Sequence, residues 1–351
     1  MPGYFARQLL KWHELTPRPL PWDNGPRDAY HIWISEIIMQ QTRIEQGTPY
    51  YLKFISRFPS VRSLANASAD EVLRYWQGLG YYSRARNLHL AARKIMNEYG
   101  GAFPDTYEGL LSLPGIGPYS AAAIASFAYG LSYPVVDGNV KRVIARFSGI
   151  DASIDDSTGH AAVLAEATTC IRGTDPALFN QAIMNFGALV CKPKGALCTT
   201  CPLSKKCYAY QNELVEQLPV RSKTKTDTAR YFHFFVIHYR HKILLIRRES
   251  KDIWRGLYTP PILETTSDRK PSTTSIRTFV QSQLGEVAFT TKESMPTVVQ
   301  ALSHQTIHGR FHHIHLSSPP LQLPPHGQWV TMKQFMDCGK PKMVAESLFT
   351  T

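Results

Sequence analysis

Apolar residues recur every three to four positions through residues 28–215, broken at capped intervals, and this spacing predicts one α-helix after another. The start at Asp28 is representative. A carboxylate able to cap the first turn precedes Tyr30, Trp33, Ile34, Ile37 and Ile38, a single apolar stripe. The texture changes after Cys207. The polar, basic stretch QLPVRSKTKTDTAR has no apolar period and reads as a linker. Beyond it, FHFFVIHY and KILLIRR are rich in aromatic and β-branched residues and are separated by Arg240 and His241, which predicts a β-hairpin. Short apolar strands then alternate with Pro-rich loops as far as Trp329, and helical spacing returns near 273–284 and 331–349. The pattern as a whole predicts a multidomain chain: an all-α region over 1–215, a linker over 216–229 and a small α+β domain over 230–351.

Length and charge narrow this picture. At 351 residues the chain can build two or three domains with cores of their own. Its formal charge of +12 favours a polyanionic partner, because each phosphate neutralised by Lys or Arg releases condensed counterions. Residues 216–351 carry 18 Lys and Arg against 10 Asp and Glu, so the C-terminal third shares in that basicity. The first residues, MPGYFARQLLKWHEL, lack the apolar core of a signal peptide, and no run approaches a membrane span. A soluble, cytosolic monomer is expected, with no membrane partner.

The cysteines bring in chemistry. Cys191, Cys198, Cys201 and Cys207 close one stretch with six, two and five residues between them, and only Cys170 and Cys338 lie elsewhere. Four soft thiolate ligands suit either tetrahedral zinc or an iron-sulfur cluster. Structural zinc usually takes two close Cys pairs, whereas one pair flanked by two single cysteines can wrap a larger inorganic cluster, so the spacing favours the cluster over zinc and over a disulfide framework. Upstream, LPGIGPYSAAAIASFAYG (113–130) sets Gly115 and Gly117 in a tight turn before an Ala-rich helix. Glycine lets the backbone approach a phosphate, and the helix start offers unpaired N–H groups, with Ser120 in its first turn. An ordinary turn between packed helices is the alternative.

Company decides between them. The hairpin, VVDGNVKRV (135–143), the cysteine loop, WISEIIMQQT (33–42), GLGYYSRARNL (78–88) and FNQAIMNFGALVC (179–191) together cover most of residues 20–210. They resemble the endonuclease III, or helix-hairpin-helix, superfamily of DNA glycosylases, and within it the MutY-type adenine DNA glycosylases. The resemblance implies a six-helix lobe over about 26–132, an iron-sulfur lobe over about 1–25 and 133–215 with one 4Fe-4S cluster on the four cysteines, and a C-terminal Nudix-like domain. It implies removal of adenine mispaired with 8-oxoguanine or guanine from double-stranded DNA.

Such a reaction needs a better leaving group and support for an oxocarbenium-like sugar, hence two carboxyls in different environments. Glu36 is expected to be the acid that protonates the base, which requires a raised pKa. Asp137 is expected both to cap a helix and to stay ionised for the sugar, its charge held by backbone N–H groups. By resemblance Tyr119 and Asn139 position them, Trp22 and Gln181 line the adenine pocket, and Gln41 and Tyr82 wedge beside the orphan base after flipping. Ser120 stands where bifunctional relatives carry a Schiff-base lysine, which implies a monofunctional enzyme. The Nudix-like domain lacks the acidic helix of a hydrolase, so it should bind rather than hydrolyse, reading 8-oxoguanine through Leu302, Ser303 and His304; HQTIH (304–308) is a rival register. His304, His308, His312, His313 and His315 are expected on a basic, DNA-facing strand. The rival functions are a bifunctional enzyme acting on oxidised pyrimidines and a catalytically silent iron-sulfur DNA-binding protein.

Overall fold

The structure is a computed structural model and describes residues 3–16, 18, 28–222, 228–292, 295–302 and 304–349. Its helices are α1 Tyr4–Leu15, α2 Ala29–Met39, α3 Ile44–Arg57, α4 Val61–Asn66, α5 Ala69–Tyr75, α6 Ser83–Glu98, α7 Tyr107–Leu111, α8 Pro118–Tyr129, α9 Gly138–Ser148, α10 Ser157–Ile171, α11 Pro176–Leu189 and a single turn, α12 Tyr208–Gln211. The strands are β1 Thr228–Tyr239, β2 Lys242–Arg247, β3 Tyr258–Thr259, β4 Ile262–Thr265, β5 Phe289–Thr291, β6 Val298–Ala301, β7 Gln305–Leu316 and β8 Gly327–Thr331. Helices α13 Thr273–Leu284, α14 Met332–Asp337 and α15 Lys342–Phe349 accompany them. Among the described residues no helix is long and apolar enough to cross a membrane. Two compact units result, Met1–Asn66 with Asn87–Thr224, and Ala67–Arg86 with Lys225–Thr351.

In the first unit, local signals set the helices that carry the site. Asp28 caps α2 by accepting from the His31 backbone N–H at 2.9 Å. Helix α8 starts at Gly117–Pro118 and ends at Gly130, whose φ of +64° only glycine adopts at low cost. Helix α9 runs from its Asp137 cap to a left-handed Gly149 (φ +73°) and buries Val140, Val143 and Ile144. These meet Phe5 and Leu9 of α1, Val163 and Ala167 of α10, and Phe179, Ile183 and Phe186 of α11 in one core. The N-terminal helix thus closes onto a lobe built mostly from residues after 133.

In the second unit the expected hairpin forms: β1 and β2 pair antiparallel, with Arg240 in the left-handed region (φ +53°) at the turn. The mixed sheet runs β3-β2-β1-β7-β5, with β4 on β1, β6 on β7 and β8 on β2. Strands β1 and β7 are parallel from Thr228↔Gln305 to His238↔His315. The helical signal over 331–349 resolves into two helices, α14 ending at Cys338 and α15 starting at Lys342, because Gly339 and Pro341 interrupt it. Helix α13 carries no acidic residue.

The histidine-rich strand is not a uniformly solvated basic stripe. In the middle of the sheet, His312 of β7 is 3 % exposed and its Nε2 lies 3.1 Å from His233 Nδ1, while the half-buried His313 shares a 3.0 Å contact with His238. Burial, and after it His233, Arg310, Lys270 and His313, push the His312 pKa down to about 4, and burial with His315, His313 and Lys292 does the same to His238. These rings are neutral in the fold. Between about pH 6.5 and 4 the unfolded chain binds more protons, so stability should be complete above about 6.5 and fall as pH drops towards 4. The loss for His312 is about 3 kcal/mol at most. Urea melts of the parent and of His312→Phe at pH 7 and pH 5 check it: the parent should lose ground to the variant at pH 5, and an unchanged difference between them would rule out neutral burial of this histidine.

Candidate active site

Helices α2 and α8 bring Glu36 and Tyr119 together. Tyr119 donates its phenolic hydrogen to the Glu36 carboxyl, and Asp137 at the start of α9 is close enough to act on both electrostatically. Burial pushes the Glu36 pKa up to about 7; the Tyr119 hydrogen bond opposes the rise and the Asp137 charge adds to it. A carboxyl half-protonated at neutral pH can deliver a proton to a bound base. Burial likewise raises Tyr119 well above its ordinary range, so it remains a hydrogen-bond donor.

Asp137 does cap α9: its Oδ1 accepts from the Val140 N–H at 2.7 Å and its Oδ2 from Asn139 Nδ2 at 2.8 Å. The expectation that these bonds hold its pKa down is corrected in sign. Burial outweighs the hydrogen bonds and the Arg142 charge, leaving the Asp137 pKa above the usual aspartate value. The helix-cap argument counted donors and could not count the lost water.

Two residues unmarked in the sequence connect this carboxylate to the cysteine loop. Arg142, 6 % exposed, donates to Asn139 Oδ1 at 2.9 Å, to Gly187 O at 2.8 Å and to Cys191 O at 2.7 Å. One turn on, Arg146 donates to Lys192 O at 2.7 Å and to Leu218 O at 2.8 Å, with the Cys191 sulfur 3.5 Å from its Nη1. Gly187 leaves the room: a Cβ there would stand 2.6 Å from Asn139 Cβ. The i, i+4 spacing of two arginines in VVDGNVKRVIAR was the available signal.

Cys191, Cys198, Cys201 and Cys207 are all free and partly buried, so the disulfide framework is excluded. They lie within one another's electrostatic reach, and burial together with that mutual influence pushes the Cys201 thiol up to about 11. Such a set holds four thiolates only when a cation offsets their charge, as a thiolate-ligated metal group does.

Residues 34–164 match the HhH-GPD superfamily of base excision DNA repair proteins, and residues 233–348 match the NUDIX domain. The chain is 37 % identical over 264 residues to the adenine DNA glycosylase of Buchnera aphidicola from Schizaphis graminum, covering 74 % of this chain and 75 % of that protein. The chain belongs to the adenine DNA glycosylase family. The human adenine DNA glycosylase is 41 % identical over 222 residues, 61 % of this chain and 41 % of that protein. A thermostable thymine-DNA glycosylase structure superposes with a TM-score of 0.55 at 31 % identity, over 59 % of this chain and 95 % of that one. An endonuclease III structure at 20 % identity (TM-score 0.52, over 60 % of this chain and 95 % of that one) shares the fold. As a member of this family the chain is a DNA glycosylase, an enzyme of base excision repair.

Against that membership, the remaining site residues divide. Gly115 takes φ +78° and sits so close to Asn87 that a Cβ would fall 2.5 Å from that residue's Cβ; Gly117 is exposed with open space around it. Both suit a backbone that must approach a phosphate. Ser120 does not: it is 1 % exposed and accepts from Gln40 Nε2 at 3.1 Å, so the hairpin phosphate contact assigned to it is withdrawn. It lies on the buried face of α8, which packs against α2. Gln181 is partly buried on α11, and Trp22 lies outside the described residues.

Gln41 is exposed and takes a left-handed φ of +58°, a strained conformation of the kind found at functional sites. Tyr82, by contrast, is 7 % exposed and donates to Lys340 O at 3.3 Å, so it cannot wedge into DNA. Its neighbour Tyr81 is 41 % exposed with φ +46°. The correction is one residue: the turn at Gly78–Gly80 sends the first tyrosine of the pair outward and the second inward. Leu302 and His304 stand at the tip of the β6–β7 hairpin, where Leu302 N–H donates to Gln305 O at 2.8 Å; His304 is exposed, and Ser303 lies outside the described residues. The rival register would use His308, which stacks on Tyr231 within the sheet at 4.9 Å.

Proposed function

We propose that this glycosylase removes adenine opposite 8-oxoguanine, and opposite guanine, from duplex DNA and leaves an abasic site without cutting the strand. One observation carries the reading: a Glu36 carboxyl raised to about 7, hydrogen-bonded to Tyr119 and facing Asp137. A flipped adenine takes its proton from Glu36 as the glycosidic bond lengthens. Ionised Asp137, oriented by Asn139 and the Val140 N–H, supports the positive charge that develops on the sugar. Monofunctionality rests on Ser120, which offers a buried hydroxyl where a Schiff base needs an amine, and on Lys141, whose ammonium is bound to Ile154 O at 2.7 Å.

Gln41 fills the space left by the flipped base, the exposed Tyr81 ring enters the duplex, and the β6–β7 tip with Leu302, Ser303 and His304 contacts 8-oxoguanine. Cys191, Cys198, Cys201 and Cys207 would hold one 4Fe-4S cluster, which would cross-link a basic loop bearing Lys192, Lys194, Lys205 and Lys206 for the DNA backbone. The protein acts as a cytosolic monomer.

The test is direct. Purified protein is incubated with a duplex carrying adenine opposite 8-oxoguanine and then treated with hot alkali. Cleavage of the adenine strand that depends on alkali is expected. No cleavage would reject the substrate, and cleavage without alkali would reject monofunctionality.

A further inference from the structure

Residues Ala67–Arg86 belong to the same compact unit as the C-terminal domain, and specific contacts fix them there. Asp70 lies 3.3 Å from an Arg247 Nη and accepts from the Tyr258 hydroxyl at 3.3 Å. Arg74 reaches Asp337 at 3.4 Å, Tyr82 donates to Lys340 O, and Arg86 donates to Arg255 O at 2.7 Å. From this anchored base one aromatic ring projects to solvent, that of Tyr81.

Its backbone is shaped by three successive devices. Gly78 and Gly80 take φ +100° and +72°, and Trp76, fully buried, donates Nε1 to Gly80 O at 3.0 Å. Tyr81 itself sits in the left-handed region, where a residue with a side chain remains only if its surroundings insist. What insists is Arg84. Its guanidinium stands 5.3 Å from the Trp76 ring centroid and 5.4 Å from that of Tyr81, and its Nη2 faces Leu79 O at 3.4 Å and Gly80 O at 3.5 Å. Its backbone N–H donates to Tyr81 O at 2.9 Å. Burial lowers the Arg84 pKa to about 10, which leaves it cationic at neutral pH. A half-buried cation between one core ring and one exposed ring is a clamp on the exposed one.

We propose that Arg84 is a positioning residue for base extrusion: it holds the Tyr81 ring pre-aimed on a loop anchored in the lesion-reading unit, so that the ring enters the duplex without first having to be ordered. A wedge already in its strained geometry spends less binding free energy on ordering and leaves more for unstacking the base. This rests on the base-flipping reading above and assigns to it a residue that contacts neither DNA nor adenine.

The experiment uses the full chain, a duplex with the fluorescent adenine analogue 2-aminopurine opposite 8-oxoguanine, and the variants Arg84→Met, Arg84→Lys, Tyr81→Ala and Arg84→Met/Tyr81→Ala. Fluorescence at saturating protein reports extrusion independently of cleavage. Arg84→Met should lower extrusion and single-turnover adenine release about tenfold, the size of one desolvated cation–π contact. The alkaline limb near pH 7, where Glu36 titrates, should stay in place. Arg84→Lys, which keeps the cation without the planar fork, should fall between, and it serves as the readout if Arg84→Met does not fold. The double variant should lose no more than the worse single one, because Arg84 acts through Tyr81. Wild-type extrusion by Arg84→Met, or by Arg84→Lys where that variant is the readout, or losses that multiply in the double variant, would overturn the proposal. Failure of the wild type to release adenine would instead count against the substrate assignment, and the fluorescence comparison would still judge Arg84.

Discussion

Glu36→Gln is expected to lower adenine release by about 10³-fold while leaving duplex affinity unchanged, because glutamine keeps the shape and loses the transferable proton. The wild-type rate should fall as pH rises through about 7, where Glu36 loses that proton. The same substitution should stabilise the protein on the alkaline side. The Glu36 pKa is about 7 in the fold against an unfolded value near 4.5, so the folded state binds the extra proton between those values. The Glu36 contribution is therefore full below about 4.5, declines as pH rises, and is lowest above 7. The penalty is about 3 kcal/mol before discounting for the partial exposure of Glu36. Thermal melts at pH 5 and pH 8 check this: parent and variant should be close at pH 5, with the variant ahead at pH 8. A variant that melts below the parent at pH 8 would sink burial as the cause of the shift. Function and stability are opposed at this carboxyl, as expected for a group held in the wrong ionisation state for its surroundings.

Arg142→Ala is expected to cost about 3–5 kcal/mol, since it strands Asn139 Oδ1, Gly187 O and Cys191 O around a buried void in a single step. It should also move the acid limb of the rate profile upward. Arg142 is one of the groups that restrain the Asp137 pKa, and without its charge Asp137 would protonate at a higher pH. Denaturation curves and single-turnover rates between pH 4.5 and 7 give both readings. Unchanged stability would show that the carbonyls find other donors, and an unmoved acid limb would remove Asp137 as the ionised partner. Arg142→Lys should recover charge but not the three-way geometry, because an ammonium cannot reproduce the planar fork.

Much of the fold was legible because its signals are local. Asp28 and Asp137 cap helices as their neighbours require, Gly130 and Gly149 end them, Arg240 and His241 turn a hairpin, and the unequal cysteine spacing marks a closed loop. The catalytic carboxyls were legible through motif resemblance, and the raised pKa of Glu36 through the chemistry it must perform. Faces of elements were harder. Whether Tyr81 or Tyr82 points outward depends on a run of left-handed residues that alternation rules do not describe, and the burial of Ser120 depends on which side of α8 meets α2. The histidines of β7 look like a solvated basic strand until β1 pairs alongside in parallel and sets His233 against a buried His312, a long-range event with no local mark. Arg142 and Arg146 were hidden for the opposite reason: charged residues in a helix are read as solvated until the carbonyls they serve are in view.

The grouping of residues 67–86 with the C-terminal domain bears on how the protein can be taken apart and recombined. The two family matches cover residues 34–164 and 233–348, yet a fragment ending at Thr224 would strip Asp70, Arg74, Tyr82 and Arg86 of their partners and uncover Leu73, which Gly256 and Gly339 cover. Such a fragment would present an unsatisfied, sticky surface. A chimera that exchanges the C-terminal domain for that of a relative must carry the matching 67–86 segment with it. Two stretches far apart in sequence are in this sense one heritable part, and substitutions in either should be tolerated only alongside compensating changes in the other.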